Sequence, residues 1–231
     1  MTEPAHYSHE MQDLAALKLF GNVGKTFLDI GCSHPVKGNN TLLLEKNGWE
    51  GICVDIEDFS KEYTKERSSP FYQVDVTSQE FVEILSRHFP TKIIDYISLD
   101  VDGSSLMVLE NLLKNEYIFR FMTFEHDLHW VLNHRGHADF GSEREWRCFG
   151  RTPEQIENCK YKSKALLRER GFALLFENVS FYESNKFPHP WEDWWINPSA
   201  FNFKSRTVME RIKSKNIHFR DCVERIFLIS K

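Results

Sequence analysis

The sequence lacks several features that define large classes of proteins. No apolar run approaches the roughly 20 residues of a membrane span. The acids and histidines near the N-terminus are not typical of a signal peptide, so we expect none there. The five cysteines include no Cys-x-x-Cys pair, which indicates reduced thiols. A net charge of −5 gives no general attraction to nucleic acid or to an anionic membrane. We therefore expect a cytoplasmic protein with neither of these partners.

The phosphate-binding glycine pattern of dinucleotide-binding folds is also missing. The apolar segment 25–30 is followed by Gly31, which lets the backbone turn and lets a ligand approach closely. Pro35 follows within the same loop and has no N–H to donate to a phosphate. A nucleotide-dependent oxidoreductase is therefore a weak hypothesis. A ligand that has a ribose and no phosphates fits better, and S-adenosylmethionine is such a ligand.

The pattern of apolar segments predicts a single domain over residues 1–231 with an α/β fold. Short apolar strands alternate with helical patterns, which is typical of a mostly parallel sheet flanked by helices. The predicted strands are residues 25–30, 51–55, 70–74, 93–99, 119–124, 172–176 and 225–229. The predicted helices are residues 9–20, 41–47, 59–67, 78–89, 104–114 and 152–171.

Acidic residues stand at the ends of the predicted strands, where a ligand crevice of such a sheet lies. Asp55 can accept both hydrogen bonds of a ribose diol, or it can cap the next turn. Asp75, beside Val76, can accept from the exocyclic amine of adenine, or it can cap the helix that begins near Ser78. Asp29 can reach the amino group of the ligand's methionine part, or it can fix the loop.

Two stretches together resemble the FkbM-type methyltransferases, over roughly residues 25–180. The first is Asp29-Ile-Gly-Cys-Ser-His-Pro-Val-Lys37 with Asn40-Thr41 and Gly48-Trp-Glu-Gly-Ile-Cys-Val-Asp55. The second is the run from Ile97 to Leu109, in which Asp102 replaces the family's usual Glu and Ser104-Ser105 replace its Ala-Glu. The resemblance implies a Rossmann-like class I fold with S-adenosylmethionine as cofactor. It also implies a seven-stranded, mostly parallel sheet in the order 3-2-1-4-5-7-6.

The site residues follow from this resemblance and from the strand ends. The predicted cofactor-binding residues are Asp29, Gly31, Cys32, Ser33, His34, Asn40, Asp55, Ile56, Asp75, Val76 and Asp100. His34 can instead shape the loop, and Cys32 and Cys53 can be buried packing residues. The predicted catalytic residues are Asp100, His126 and His129, with either histidine as a general base.

Oxygen ligands at neighbouring strand ends also predict a site for Mg²⁺ or another divalent cation. Its predicted ligands are Asp100, Glu125 and Asp127. Alternatively, Asp100 positions the cofactor or substrate directly, and Glu125 pairs with an arginine of residues 135–151.

Two long inserted segments, about 127–151 and 184–203, are predicted to form a substrate lid. The tryptophans of the second segment can equally form a dimer patch, and the chain is expected to be a monomer or a homodimer. The function that these features predict is O-methylation of a small molecule or of a sugar or glycan. Because the second signature departs from the family pattern, a non-catalytic binding domain on the same fold is the alternative.

Overall fold

One mixed sheet with helices on both faces forms the protein, as seen in a computed structural model. The structure describes residues 6–21, 25–129, 131, 152–180, 190–201, 213–215 and 217–229. The strands are Thr26–Ile30 (β1), Glu50–Asp55 (β2), Phe71–Gln73 (β3), Ile93–Leu99 (β4), Ile118–Glu125 (β5), Ala173–Ser180 (β6), Pro190–Ile196 (β7) and Ser214–Lys215 (β8). The helices are Gln12–Phe20 (α1), Leu42–Lys46 (α2), Ser60–Glu66 (α3), Gln79–His88 (α4), Ser105–Lys114 (α5), Pro153–Glu169 (α6) and Phe219–Ile229 (α7). None of these described helices is long and apolar enough to cross a membrane.

The sheet has the order β3-β2-β1-β4-β5-β7-β6-β8. Strands β1 to β5 are parallel, and β7 is antiparallel to both of its neighbours, β5 and β6. The predicted order 3-2-1-4-5-7-6 is therefore confirmed. The two-residue strand β8 pairs in parallel with β6 and extends the sheet to eight strands, one more than predicted.

The strand between β5 and β6 in the sheet is not formed by the predicted segment. Residues 225–229 were predicted as the last strand, but they form the end of helix α7, so this prediction is wrong. Cys222, Val223 and Ile226 are buried and have the spacing of one helix face. The position in the sheet belongs to Pro190–Ile196, a segment predicted to be part of a lid. A short apolar run does not distinguish a strand from a buried helix segment by its periodicity.

Two apolar layers cover the two faces of the sheet. On one face, α4, α5 and α6 bury side chains that include Phe81, Leu109 and Leu167. On the other face, α1, α2 and α7 bury side chains that include Leu14 and Leu44. Burial of apolar surface at roughly 25 cal/mol per Å² is the main favourable term that holds these helices to the sheet.

The tryptophans of β7 take part in both layers. Neighbouring residues of a strand point to opposite faces, so Trp194 joins one layer and Trp195 joins the other, and both are fully buried. Trp194 packs edge to face against Phe121 and Phe176, with ring centroids 5.8 and 5.7 Å away. The structure thus places these two tryptophans in the core and not in a lid. Most of the remaining lid residues, 130, 132–151, 184–189 and 202–203, lie outside the described part of the chain.

Candidate functional site

The carboxyl ends of the parallel strands form the crevice where this type of sheet binds ligands. Strand β1 has β2 on one side and β4 on the other, so the direction in which the chain adds strands reverses between β1 and β4. Such a switch point leaves an opening beyond the strand ends. In this protein two cavities lie there, and Asp100, directly after β4, lines both of them.

The first cavity, here named the switch-point cavity, has a volume of about 390 Å³. This lies within the range of pockets that enclose small ligands. Its wall contains seven of the eleven predicted cofactor-binding residues. These are Gly31, Ser33, Asp55, Ile56, Asp75, Val76 and Asp100. Asp102 and Ser104, two of the residues at which the second signature departs from the family pattern, also line it.

Gly31 is required by a close approach of two backbone segments. It has a φ of 78°, and a Cβ added to it would lie 1.6 Å from the carbonyl oxygen of Asp100. Its N–H donates to the carbonyl of Val54 over 2.9 Å. Because glycine has no Cβ, the loop after β1 can lie directly against the end of β4. Together they form the floor of the cavity.

Asp55 ties the loop after β1 to the end of β2. One carboxylate oxygen accepts a hydrogen bond from the backbone N–H of Ser33 over 2.8 Å, and the other accepts from Glu57 over 3.0 Å. Each carboxylate oxygen can accept more than one hydrogen bond. Asp55 can therefore hold the loop and still accept from a ligand in the cavity that it lines.

Asp75 is exposed at the edge of the same cavity and does not cap a helix. Its Oδ1 accepts from the backbone N–H and the hydroxyl of Thr77, which lowers the pKa of the carboxyl. The cap of α4 is Ser78, whose side chain accepts from the N–H of Phe81. The carboxylate of Asp75 thus remains beside the cavity wall, where adenine contact was predicted.

Four predicted cofactor-binding residues lie outside the lining of the switch-point cavity. Asp29 is buried under the loop and accepts from the hydroxyl of Thr41 over 2.8 Å, and its burial raises its pKa to about 6. Cys32 is buried in the core. His34 shapes the loop, because its Nδ1 accepts from two backbone N–H groups at 3.1 Å. Asn40 lines the second cavity and donates to Ser98 over 2.8 Å.

Arg67 holds the outer part of this loop, and sequence reasoning missed it. Its guanidinium donates to Glu45, Asn39 and Thr41 at distances of 2.8, 2.8 and 3.1 Å. Burial tends to raise the pKa of Glu45, but hydrogen bonds from Ser69, from a backbone N–H and from Arg67 outweigh it and lower this pKa to about 2. The charged sequence of the predicted helix 59–67 gave no sign that its last residue is buried.

The second cavity, here named the acidic cavity, has a volume of about 360 Å³. It lies on the side of the sheet where α1 packs. Its lining residues are His9, Glu10, Gln12, Gly38, Asn40, Asp100, Glu125, Trp191 and Glu192. Four of these nine residues are carboxylic acids, and no lysine or arginine is among the described lining residues.

The acids of this cavity are close enough to affect one another. The amide of Gln12 donates to Glu10 over 2.6 Å and to Glu192 over 3.4 Å. Burial raises the pKa of Glu10 to about 7, and burial together with Glu10 raises the pKa of Glu192. The pKa of Asp100 is raised as well. The largest cause is the loss of hydration of its carboxylate beside the protein, and the negative charges of Asp127 and other acids add to it. Asp100 nevertheless keeps an exposed surface, because it opens onto both cavities.

A short N-terminal segment builds one wall of the acidic cavity. The carboxylate of Asp13 accepts from the N–H of Tyr7 over 2.8 Å and from the hydroxyl of Ser8 over 2.6 Å. Ser8 forms a β-bridge with Gly38, where an added Cβ would lie 2.2 Å from the ring of His9. These contacts fix residues 7–9 against the loop after β1.

The two predicted general bases, His126 and His129, are not among the described residues that line the switch-point cavity or the acidic cavity. His126 is fully buried, its Nδ1 accepts from the N–H of Leu128, and its Nε2 lies 3.0 Å from the Nζ of Lys160. Burial and this lysine lower the pKa of His126. His129 stacks on Trp191 with a centroid distance of 3.7 Å. Their role as bases stays a prediction.

The predicted metal site is not supported. Within the described residues, no group of three or more His, Cys, Asp or Glu side chains is arranged to hold a metal ion. Asp100 and Glu125 do share the acidic cavity, but Asp127 is not among its lining residues.

Comparisons with known proteins bear on the fold. Neither a family model nor a curated protein sequence matches the chain. Among solved structures, a protein described as a hemolysin from Lactococcus lactis has a TM-score of 0.51 and 16% identity, over 82% of this chain and 86% of that one.

Two further solved structures have lower scores. An O-methyltransferase from Bacillus cereus in complex with SAH has a TM-score of 0.48 and 12% identity, over 84% of each chain. A protein described as a hemolysin from Streptococcus thermophilus has a TM-score of 0.48 and 15% identity, over 99% of this chain and 76% of that one. The likeness to the Lactococcus lactis protein shows a shared fold, and identity this low shows nothing beyond the fold.

Proposed function

We propose that the protein is a methyltransferase that uses S-adenosylmethionine and methylates an oxygen of a small molecule or a sugar or glycan. One observation carries this proposal. The switch-point cavity is lined by Gly31 and by the three strand-end acids Asp55, Asp75 and Asp100. These are the positions at which the FkbM-type resemblance expects the cofactor.

The volume of this cavity suits a ligand of the cofactor's size, and its lining residues suit the cofactor's chemistry. Asp55 would accept from the ribose hydroxyls, and Asp75 with Val76 would contact the adenine. The loop between Gly31 and Pro35 offers no glycine-rich cradle, which disfavours a pyrophosphate and is neutral for a ligand without phosphates. When bound, S-adenosylmethionine supplies a methyl group that is already activated by its positively charged sulfur.

The protein's own contribution is alignment and removal of one proton. Asp100 borders both cavities, so its carboxylate can accept the proton that the acceptor hydroxyl loses as its oxygen gains the methyl group. A raised pKa makes a carboxylate a stronger base. Holding the acceptor oxygen in line with the methyl group supplies much of the remaining rate enhancement.

A non-catalytic binding domain is the second candidate function. It is favoured by Asp102 and Ser104, which replace the family's usual residues within the lining of the switch-point cavity. Such a domain would bind the cofactor or a related nucleoside and would show no methyl turnover.

Calorimetric titration with S-adenosylhomocysteine tests the proposal. We expect binding by the wild type and a loss of at least about tenfold in Asp55→Ala, because a ribose bidentate contact is lost. Glu62→Ala, an exposed residue on α3, is the control and should bind like the wild type. Thermal unfolding of each variant separates lost binding from lost folding. Absence of binding to the folded wild type would contradict the methyltransferase proposal and leave only a binding domain for a related nucleoside. Binding without methyl transfer to any acceptor would also leave the second candidate.

A further inference from the structure

We infer that the acidic cavity binds an acceptor that carries a protonated amine beside the hydroxyl to be methylated, which is an amino alcohol or amino sugar. This inference rests on the proposed function and names its substrate class. The cavity meets the switch-point cavity at Asp100, so a molecule held in it presents one end to the place of methyl transfer.

The first argument is the concentration of carboxyl groups in the cavity wall. Glu10, Glu125 and Glu192 line the cavity together with Asp100, and no described lysine or arginine lines it. Glu125 and Glu192 are directly opposite each other on β5 and β7. Two carboxylates in that position repel when both are ionised, and a cation between them removes the repulsion.

The second argument is a hydrogen-bond donor that has no acceptor in the described protein. The indole N–H of Trp191, in the wall of the same cavity, is buried and has no hydrogen-bond partner among the described residues. A buried donor without a partner is costly. An oxygen of the ligand can satisfy it, so the ligand would carry an oxygen as well as a cation.

The third argument is that the walls are fixed before a ligand arrives. The segment with His9 and Glu10 is held by Asp13 and by the bridge between Ser8 and Gly38. The side chain of Gln12 orients Glu10 and Glu192 by donating to both. A preformed site binds a small ligand at less entropic cost than one that must be ordered.

The chemistry assigns different roles to the two ends of the ligand. A protonated amine has no lone pair, so it serves as the anchor at Glu10, Glu125 and Glu192. The hydroxyl would lie at Asp100, which faces both cavities. The anchor thus sets which hydroxyl of the molecule meets the methyl group.

The test compares matched pairs of ligands that differ in one amine. Saturation-transfer NMR is recorded on protein loaded with S-adenosylhomocysteine, with glucosamine against glucose and ethanolamine against ethylene glycol. We expect binding of the amine members, weakened about tenfold in Glu10→Gln and in Glu125→Gln. Glu83→Gln, an exposed residue on α4, is the matched control and should bind as the wild type does.

Calorimetry with S-adenosylhomocysteine on the same samples separates the two proposals. If both glutamine variants bind S-adenosylhomocysteine normally and lose the amines, the inference stands. If the protein shows no preference for the amine member in any pair while S-adenosylhomocysteine still binds, the inference is overturned and the proposed function remains intact. A folded wild type that fails to bind S-adenosylhomocysteine would overturn both.

Discussion

Lys160 on α6 and Asp193 on β7 form a fully buried ion pair, with both carboxylate oxygens 2.9 Å from the Nζ. Burial tends to raise the pKa of Asp193, but His126, Lys160 and the N–H of Asn178 outweigh it and hold this pKa well below its usual range. Asp193 is paired with Phe124 of β5. The ion pair therefore joins a helix to the strand that borders the acidic cavity.

Breaking this pair is expected to destabilise the protein strongly. Lys160→Met leaves Asp193 buried without its cation, which costs about 3–5 kcal/mol in the free energy of unfolding, measured with urea. The double variant Lys160→Met with Asp193→Leu should recover part of this loss, because no charge is left buried.

Lys164→Met, one turn further along α6, is the matched control. The Nζ of Lys164 lies 2.6 Å from the Oε1 of Glu177, and both side chains keep some exposure. We expect a loss of less than about 1 kcal/mol. Equal losses for the two lysines would show that burial is not what makes the first pair important.

Gly31→Ala is expected to abolish binding of S-adenosylhomocysteine. The added Cβ would collide with the backbone of Asp100, so the floor of the switch-point cavity must shift. Gly48 has a similar φ of 80° and nothing within 4 Å of an added Cβ. Gly48→Ala should therefore cost only the roughly 1–2 kcal/mol of the left-handed backbone and leave binding intact. Calorimetry and urea unfolding of both variants check this, and similar binding by the two would contradict it.

The carboxyl of Glu10 is expected to cost stability at alkaline pH. Its pKa rises from 4.5 in the unfolded chain to about 7 in the folded one, so the folded state binds the proton more tightly. The cost is present above pH 7 and disappears as the pH falls towards 4.5. Glu10→Gln should be more stable than the wild type at pH 8, by up to about 3 kcal/mol, and equally stable at pH 4.5. Urea unfolding at the two pH values checks this; a difference that does not depend on pH would contradict it.

Glu45 should contribute to acid unfolding in the opposite sense. Its folded pKa of about 2 lies below the ordinary 4.5, so its stabilisation is present above pH 4.5 and is lost as the pH falls towards 2. In Arg67→Ala one of the groups that lower this pKa is absent. We expect the midpoint of acid unfolding, followed by circular dichroism, to move to higher pH in this variant. Arg87→Ala, an exposed residue on α4, should leave the midpoint unchanged.

The sequence predicted the strands whose signals are local. β4 was predicted with its observed bounds, Ile93–Leu99, because it is almost continuously apolar. Helix α6 was predicted from its start, where Thr152 and Gln155 do form a capping box. The order of the first seven strands followed from the family resemblance and is confirmed.

The strand β7 was missed because its polar residues are explained only by distant partners. Glu192 and Asp193 interrupt the apolar pattern between Trp191 and Trp194 and suggest a surface loop. In the fold, Glu192 meets Gln12 and Asp193 meets Lys160. Pairings across such separations in sequence leave no local pattern.

The sequence identified the cavity-lining residues that stand at strand ends. Asp55, Asp75 and Asp100 lie where parallel strands finish, and the register of the sheet brings them to one cavity. Glu10 and Glu192 come from a segment before the first strand and from the missed strand β7. Their meeting depends on tertiary packing that one sequence does not reveal.

The wall formed by His9, Glu10 and Gln12 is separable from the rest of the site. It comes from one short stretch ahead of the sheet, while the switch-point cavity is built from the strand ends and their loops. Substitutions in this stretch can therefore change the lining of the acidic cavity and leave the switch-point cavity unchanged. Under the proposed function, new acceptor preferences would evolve most easily by exchange of these few residues.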